Sequence, residues 1–80
     1  MSEAETIIPG ILLMVKAGFR FKGHVLFVDD MIMVIEHFES RNTIYNCKIY
    51  YQTILLPNGE VGSFELDERS FWHVFEACSF

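Results

Sequence analysis

Short stretches of alternating apolar and polar residues, separated by turn residues, run through most of the chain. Alternation with a period of two is typical of half-buried antiparallel strands. The clearest interruption is Pro57-Asn58-Gly59, where an Asn-Gly pair between apolar runs predicts a hairpin. Further turns are expected at residues 29–30 and 39–42. The pattern predicts five strands, over residues 11–16, 19–28, 31–38, 43–56 and 60–66.

The second and the fourth of these strands carry the most information. In the second, Phe19 and Phe21 alternate with Arg20 and Lys22, so we expect rings in the core and cations in solvent. Gly23 is expected to be a kink within a single bent strand. In the fourth strand, alternation predicts an inner face of Tyr45, Cys47, Ile49, Tyr51 and Leu55, and an outer face of Asn46, Lys48, Tyr50 and Gln52.

A short helix is predicted at the end of the chain, over residues 67–78. Asp67 is suited to the N-cap, and Glu68 lies in the first turn, where the helix dipole favours an anion. Trp72 lies beside the apolar stripe of this helix, which consists of Phe71, Val74, Phe75 and Cys78. We expect residues 1–6 to be a flexible arm, and residues 7–80 to be one domain. Five short strands and a helix in eighty residues favour a small antiparallel barrel with a helical cap.

The run from Gly18 to Asp29 resembles the first motif of the Sm-like proteins, which share their small barrel with SH3-like domains. The family pattern places a glycine, an aromatic residue, a second glycine, an aliphatic residue and an aspartate at fixed spacing. Here Gly18, Phe21, Gly23, Val25 and Asp29 match it. The resemblance covers residues 18–34 and implies a five-stranded SH3-like or Sm-like barrel with a short C-terminal helix. The second Sm motif is absent, and with it the part that reads RNA.

Composition indicates whether the protein has partners and in which compartment it occurs. Apolar residues make up 51% of the chain and aromatic residues 15%, more than so small a core can bury. We therefore expect a partner protein or a second copy to cover part of this surface, and predict a homo-oligomer. Two separated cysteines, no basic leader and no apolar run long enough for a membrane span indicate a cytoplasmic protein.

No pattern of reactive residues predicts catalysis. His24, His37 and His73 have no zinc-site spacing, and Asp29-Asp30 is more typical of a turn than of a metal site. Cys47 and Cys78 are expected to be inert thiols. We therefore expect no enzyme activity, no cofactor and no metal.

Three functions remain open. The first is a non-enzymatic protein-interaction module, similar in style to bacteriophage accessory proteins and inhibitors of host proteins, with Tyr50, Trp72, Glu65 and Glu68 at its binding surface. The second is an Sm-like RNA-binding ring that uses Lys16, Arg20, Lys22 and Lys48, which the net charge of −5 disfavours. The third is an acidic mimic of nucleic acid built on Glu65, Asp67, Glu68 and Glu76.

Overall fold

The computed structural model describes residues 7–78, which form seven strands and one short helix. The mainly β class with one short helix is thus confirmed. The predicted arm, residues 1–6, lies outside the described residues. No helix in the described range is long and apolar enough to cross a membrane. The elements are β1 (Leu12–Val15), β2 (Phe19–Phe21), β3 (His24–Leu26), β4 (Met31–Asn42), β5 (Cys47–Leu55), β6 (Val61–Asp67), α1 (Glu68–Val74) and β7 (Phe75–Ala77).

Five of the strands form one antiparallel sheet, and the other two form a separate hairpin. The order in the sheet is β6-β5-β4-β1-β7, while β2 pairs, among residues 7–78, with β3 alone. The sequence predicted a single bent strand over residues 19–28. That prediction is wrong, because this segment contains the two antiparallel strands β2 and β3. Lys22 and Gly23 have φ values of +47° and +84°, which is the geometry of a two-residue type I′ turn. Gly23 is thus a turn residue and not a kink.

A β-bulge divides β4 into two parts. Val34 pairs with Ile54 and Glu36 pairs with Thr53, so Ile35 is an extra residue without a partner on β5. Such a bulge bends the strand and shifts its alternation by one position. Before the bulge Ile32 and Val34 point into the core, and after it His37 takes the inward position while Phe38 is exposed.

The hairpin after β4 turns later than the sequence suggests. We predicted a turn at residues 39–42, but these belong to β4, and the turn lies at residues 43–46. The Asn42 side chain stabilises it by accepting hydrogen bonds from the backbone N–H groups of Ile44 and Tyr45, the local bonding for which asparagine is favoured in turns. The predicted Asn58-Gly59 hairpin is confirmed, with Gly59 at φ +91°.

The C-terminal helix is shorter than predicted. Asp67 caps it as expected, its carboxylate accepting from the Ser70 N–H at 3.1 Å. The helix ends at Val74, however, and Phe75 starts β7 by pairing with Val15 on β1. Phe71, Val74 and Phe75 of the predicted stripe are buried in the core although the helix does not continue to residue 78. Cys78 is only partly buried, and its sulfur lies 3.8 Å from that of the exposed Met31.

The large sheet is strongly curled. β6 and β7 are its edge strands, which in a flat five-stranded sheet would lie about 19 Å apart. Instead, the Phe64 ring on β6 stacks on the Phe75 ring on β7, with 5.7 Å between centroids. Within residues 7–78 these edge strands do not hydrogen-bond to each other, so the predicted barrel does not close. α1 connects them.

The core fills the concave side of the curled sheet. The β2–β3 hairpin packs against β6 at Gly62, where a Cβ would lie 2.8 Å from Cε2 of Phe21. As predicted, Phe21 is buried, and Phe19 packs against it. The buried apolar residues are Ile7, Leu13, Val15, Phe21, Leu26, Ile32, Val34, Tyr50, Ile54, Leu56, Phe64, Phe71, Val74 and Phe75.

Candidate protein-binding surface

The convex side of the large sheet, which we call the outer face, carries an exposed apolar row. The register places Met33 on β4 beside Leu12 on β1 and Leu55 on β5, and Leu55 beside Val61 on β6. Met33 is 37% exposed and Val61 56%. Met31 extends the row along β4. Directly opposed side chains on one face of a sheet are in contact range, so these residues form a continuous apolar strip.

A second row on the outer face combines aromatic and acidic side chains. Phe38, Tyr51 and Glu65 are register partners across β4, β5 and β6, and Phe38 is 63% exposed. Between the two rows, the hydroxyls of Thr53 and Ser63 hydrogen-bond to each other at 3.2 Å. A groove of about 220 Å³ lies beside this row. It is lined by the outer-face residues Phe38, Tyr51, Thr53, Ser63 and Glu65, and also by Gln52 and Phe64 at inward strand positions and by Lys22 of the β2–β3 turn.

The charges on the outer face have one sign. Within residues 7–78, its strand positions carry the carboxylates of Glu36, Glu65, Asp67 and Glu76 and no lysine or arginine. Asp67 is committed to capping α1. The other three form no ion pair within the described residues. The outer face is therefore an apolar surface with free carboxylates.

The concave side holds a polar cluster that includes one predicted site residue. We expected Tyr50 to point outward, but it is 3% exposed, and that prediction is wrong. Its ring packs edge-on against Phe71 of α1 at 5.1 Å, and this contact selects the inner face of β5. The Tyr50 hydroxyl donates to Glu68 Oε2 at 3.2 Å. Burial, with the nearby Glu68 carboxylate, raises the pKa of Tyr50.

His37 and Gln52 complete this cluster. The His37 Nε2–H donates to Glu39 Oε2 at 3.0 Å, which leaves Nδ1 to accept from the Gln52 amide nitrogen. Gln52 Oε1 is buried and has no hydrogen-bond partner among the described residues. The hydrogen bond from His37 and the charge of Lys48 lower the pKa of Glu39. Apart from Gln52 Oε1, the polar groups of His37, Gln52 and Glu39 hydrogen-bond to one another, so we interpret the cluster as structural.

The structure separates the other predicted partner-binding residues. Glu65 is exposed and lies on the outer face beside Tyr51. Trp72 and Glu68 are half-buried on α1, where the Trp72 ring packs edge-on against Phe71 at 4.9 Å. Of the four residues proposed from the sequence, only Glu65 therefore lies on the outer face.

The predicted cationic residues are divided between two regions. Lys16, Arg20 and Lys22 are exposed in the segment that follows β1. Lys48 lies on β5, and its Nζ is 3.7 Å from Glu39 Oε1. Of the acids proposed as phosphate mimics, Asp67 and Glu68 accept hydrogen bonds from Ser70 and Tyr50, respectively.

The remaining candidates have local roles. The His24 Nδ1 lies 3.4 Å from Glu60 Oε1, and His73 lies in the last turn of α1. No group of three or more His, Cys, Asp or Glu side chains in residues 7–78 is placed to hold a metal ion. Cys47 and Cys78 are free thiols. Phe38, Met33 and Val61 were missed as surface residues. For Met33, its exposure could have been predicted from residues 31–35, because this run is apolar at every position and a strand there must place some apolar side chains on its outer face.

Comparison with known proteins gives no match, whether to a family model, to a curated protein or to a solved structure.

Proposed function

We propose that the protein is a non-enzymatic interaction module that binds another protein through the outer face of its curled sheet. The observation that carries this proposal is the exposed apolar row formed by Leu12, Met33, Leu55 and Val61. Large contiguous apolar patches on the surface of a soluble protein mark interaction sites. The nearby Phe38 and Tyr51 add exposed aromatic rings, which are frequent at interface centres.

We also infer that the curled sheet is an open form of an SH3-like small barrel. The order β6-β5-β4-β1-β7, with a hairpin inserted after β1 and a short helix between the last two strands, supports this architecture. The contact between Phe64 and Phe75 across the gap also supports it. The Sm-like alternative has less support, because Gly23 of the motif lies in a hairpin turn and Lys48 is paired with a carboxylate.

Site-specific photo-crosslinking tests the proposed function. A photoreactive amino acid at Met33, which is 37% exposed, is compared with one at Val25, which is 41% exposed on the β2–β3 hairpin. In a lysate of the source organism, we expect the probe at position 33 to form a discrete adduct with a protein, and the probe at position 25 to form none. Equal labelling at the two positions, or no protein adduct, would contradict the proposal.

The nucleic-acid alternative has its own measurement. An RNA-binding ring should bind oligo-U or oligo-A at about 50 mM salt and lose affinity steeply as salt rises. An interaction module of the proposed kind should show no such binding. Saturable, salt-sensitive RNA binding that depends on Lys16 and Arg20 would favour the ring.

Self-association remains a prediction. The edge strands β6 and β7 each have one side without a strand partner in the sheet, and such edges can pair with another chain. We expect light scattering to give a mass above that of the 9.3 kDa monomer. A monomer mass at high concentration would contradict this.

A further inference from the structure

We propose that the outer face recognises a basic amphipathic segment, meaning a stretch of partner protein in which aliphatic side chains are flanked by lysine or arginine. This inference depends on the proposed function and specifies the partner's chemistry. It follows from the two rows of the face and from the charge around them.

The apolar row supplies the contact for aliphatic side chains. Met33 and Met31 contribute flexible, polarizable side chains, which adapt to ligands of different shape. Leu55 is half-buried between Met33 and Val61 and forms the floor of the strip. The strip crosses four strands, in the direction in which the sheet curls, so it is convex along its length and cannot lie flat against a broad surface.

The aromatic-acidic row supplies the contact for cations. A guanidinium or ammonium group gains from lying over the face of an aromatic ring within about 6 Å of its centroid. Tyr51 provides such a ring directly beside the Glu65 carboxylate. Phe38 provides a second ring, on the side of Tyr51 that faces away from Glu65. Because Glu65 forms no ion pair within residues 7–78, its charge is available to a partner.

Charge also decides between a basic partner and a second copy. Two copies paired through this face would bring Glu36, Glu65 and Glu76 of one copy near the same residues of the other, and like charges brought together in this way oppose association. A basic segment meets the same carboxylates with the opposite sign. Lys22 lines the groove from the β2–β3 turn and forms no ion pair with any residue in the range 7–78, so it opposes a cationic ligand and would favour an anionic one.

The test uses the full chain and two synthetic peptides of about 18 residues. One has leucine on one helical face and lysine on the other, and its analogue has glutamate at every lysine position. Fluorescence anisotropy measures the binding of each labelled peptide. We expect saturable binding of the lysine peptide, weakened by salt, and at least about tenfold weaker binding of the glutamate peptide.

Two pairs of variants locate the binding site. Met33→Thr with Val61→Thr should weaken the lysine peptide about tenfold or more, while Val25→Thr with Ile44→Thr, exposed apolar positions elsewhere, should leave it unchanged. The double variant Glu36→Gln, Glu65→Gln should weaken binding of the lysine peptide more than the double variant Asp29→Asn, Glu60→Gln does. Both remove the same amount of charge. Circular dichroism confirms that each variant is folded.

The sign of the effect at Lys22 separates the ligand classes. Lys22→Gln should tighten binding of the lysine peptide, whereas weaker binding of oligo-U in the same variant would indicate an anionic ligand. Equal binding of the two peptides, or control variants as damaging as those on the outer face, would overturn the inference. So would a dimer that dissociates in the Met33→Thr, Val61→Thr variant. A crosslinked partner at position 33 together with no preference for the lysine peptide would overturn only the partner class, and the absence of both would overturn the proposed function as well.

Discussion

Gly62 is a point of close contact between the β2–β3 hairpin and the large sheet, and replacing it with alanine tests this contact. The new Cβ would lie 2.8 Å from Cε2 and 3.1 Å from Cζ of Phe21, and 3.1 Å from Cδ2 of His24. The Phe21 ring cannot simply move away, because it stacks on Phe19 at 5.4 Å and packs against Phe64 at 5.1 Å. Gly62→Ala therefore forces the hairpin and β6 apart.

The expected loss of stability follows from two opposing effects. Overpacking of a dense core destabilises by about 1–3 kcal/mol. Alanine also restricts the unfolded chain, which stabilises by about 0.4–1 kcal/mol where the backbone accepts it, and Gly62 does not have a positive φ. The net prediction is a free energy of unfolding lower by about 0.5–2 kcal/mol. For a domain of this size, that lowers Tm by roughly 3–12 °C.

Urea unfolding followed by circular dichroism measures the effect, and two further variants control it. Gly18→Ala is the matched control, because its Cβ would meet only the Leu26 carbonyl at 3.7 Å; it should be neutral or slightly stabilising. In a Phe21→Leu background, which lacks the clashing ring atoms, Gly62→Ala should lose most of its effect. If Gly62→Ala unfolds at the same urea concentration as wild type or Gly18→Ala, the hairpin does not pack on β6 as described.

Three further predictions concern local interactions. Asp67→Ala should lower the free energy of unfolding by about 0.5–2 kcal/mol through loss of the N-cap. Because hydrogen bonds from Ser70 lower the pKa of Asp67 in the folded protein, its contribution to stability is fully present above the ordinary aspartate pKa of about 3.9 and is lost as pH falls through the lower pKa of the folded state. Urea unfolding of wild type and variant at several pH values would show this. Tyr50→Phe should lower the free energy of unfolding by about 0.5–1.5 kcal/mol by removing the hydroxyl bond to Glu68. Because burial raises the pKa of Tyr50, the difference between the ultraviolet titrations of wild type and Tyr50→Phe should lie above the ordinary tyrosine pKa of about 10, and a difference centred at about 10 would contradict this. Lys22→Asn should stabilise by a few tenths of a kcal/mol, because Asn-Gly suits a type I′ turn, while an unchanged or lower Tm would argue against that turn.

Features fixed by neighbouring residues could be predicted from the sequence. The Asn58-Gly59 hairpin depends on a positive φ that glycine adopts freely, and the Asp67 cap depends on a carboxylate three residues before the N–H it accepts from. The burial of Phe21 followed from alternation within a few residues. Each of these needs no information from distant parts of the chain.

Features fixed by long-range contacts could not be predicted in this way. Alternation divides β5 into two faces but does not say which face points into the core. Tyr50 and Tyr51 are the same residue type on opposite faces, so their side chains give no preference. The choice depends on Phe71, twenty-one residues later in the chain, against which Tyr50 packs. The outer face was misplaced for the same reason. Likewise, the spacing of Phe71, Val74 and Phe75 fits a helix, and only the pairing of Phe75 with Val15 shows that a strand begins there.

The bulge at Ile35 also bears on how β4 tolerates changes in its length. Because Ile35 has no partner on β5, a chain lacking this one residue could form a regular ladder in which Ile32, Val34 and His37 still point inward and Phe38 still points outward. Loss of a residue beyond the bulge, such as Ser40, would instead reverse the faces of the strand's far end. Ile35 is thus a position where the strand can shorten without exchanging its two surfaces, and the bend of the sheet is what such a deletion would remove.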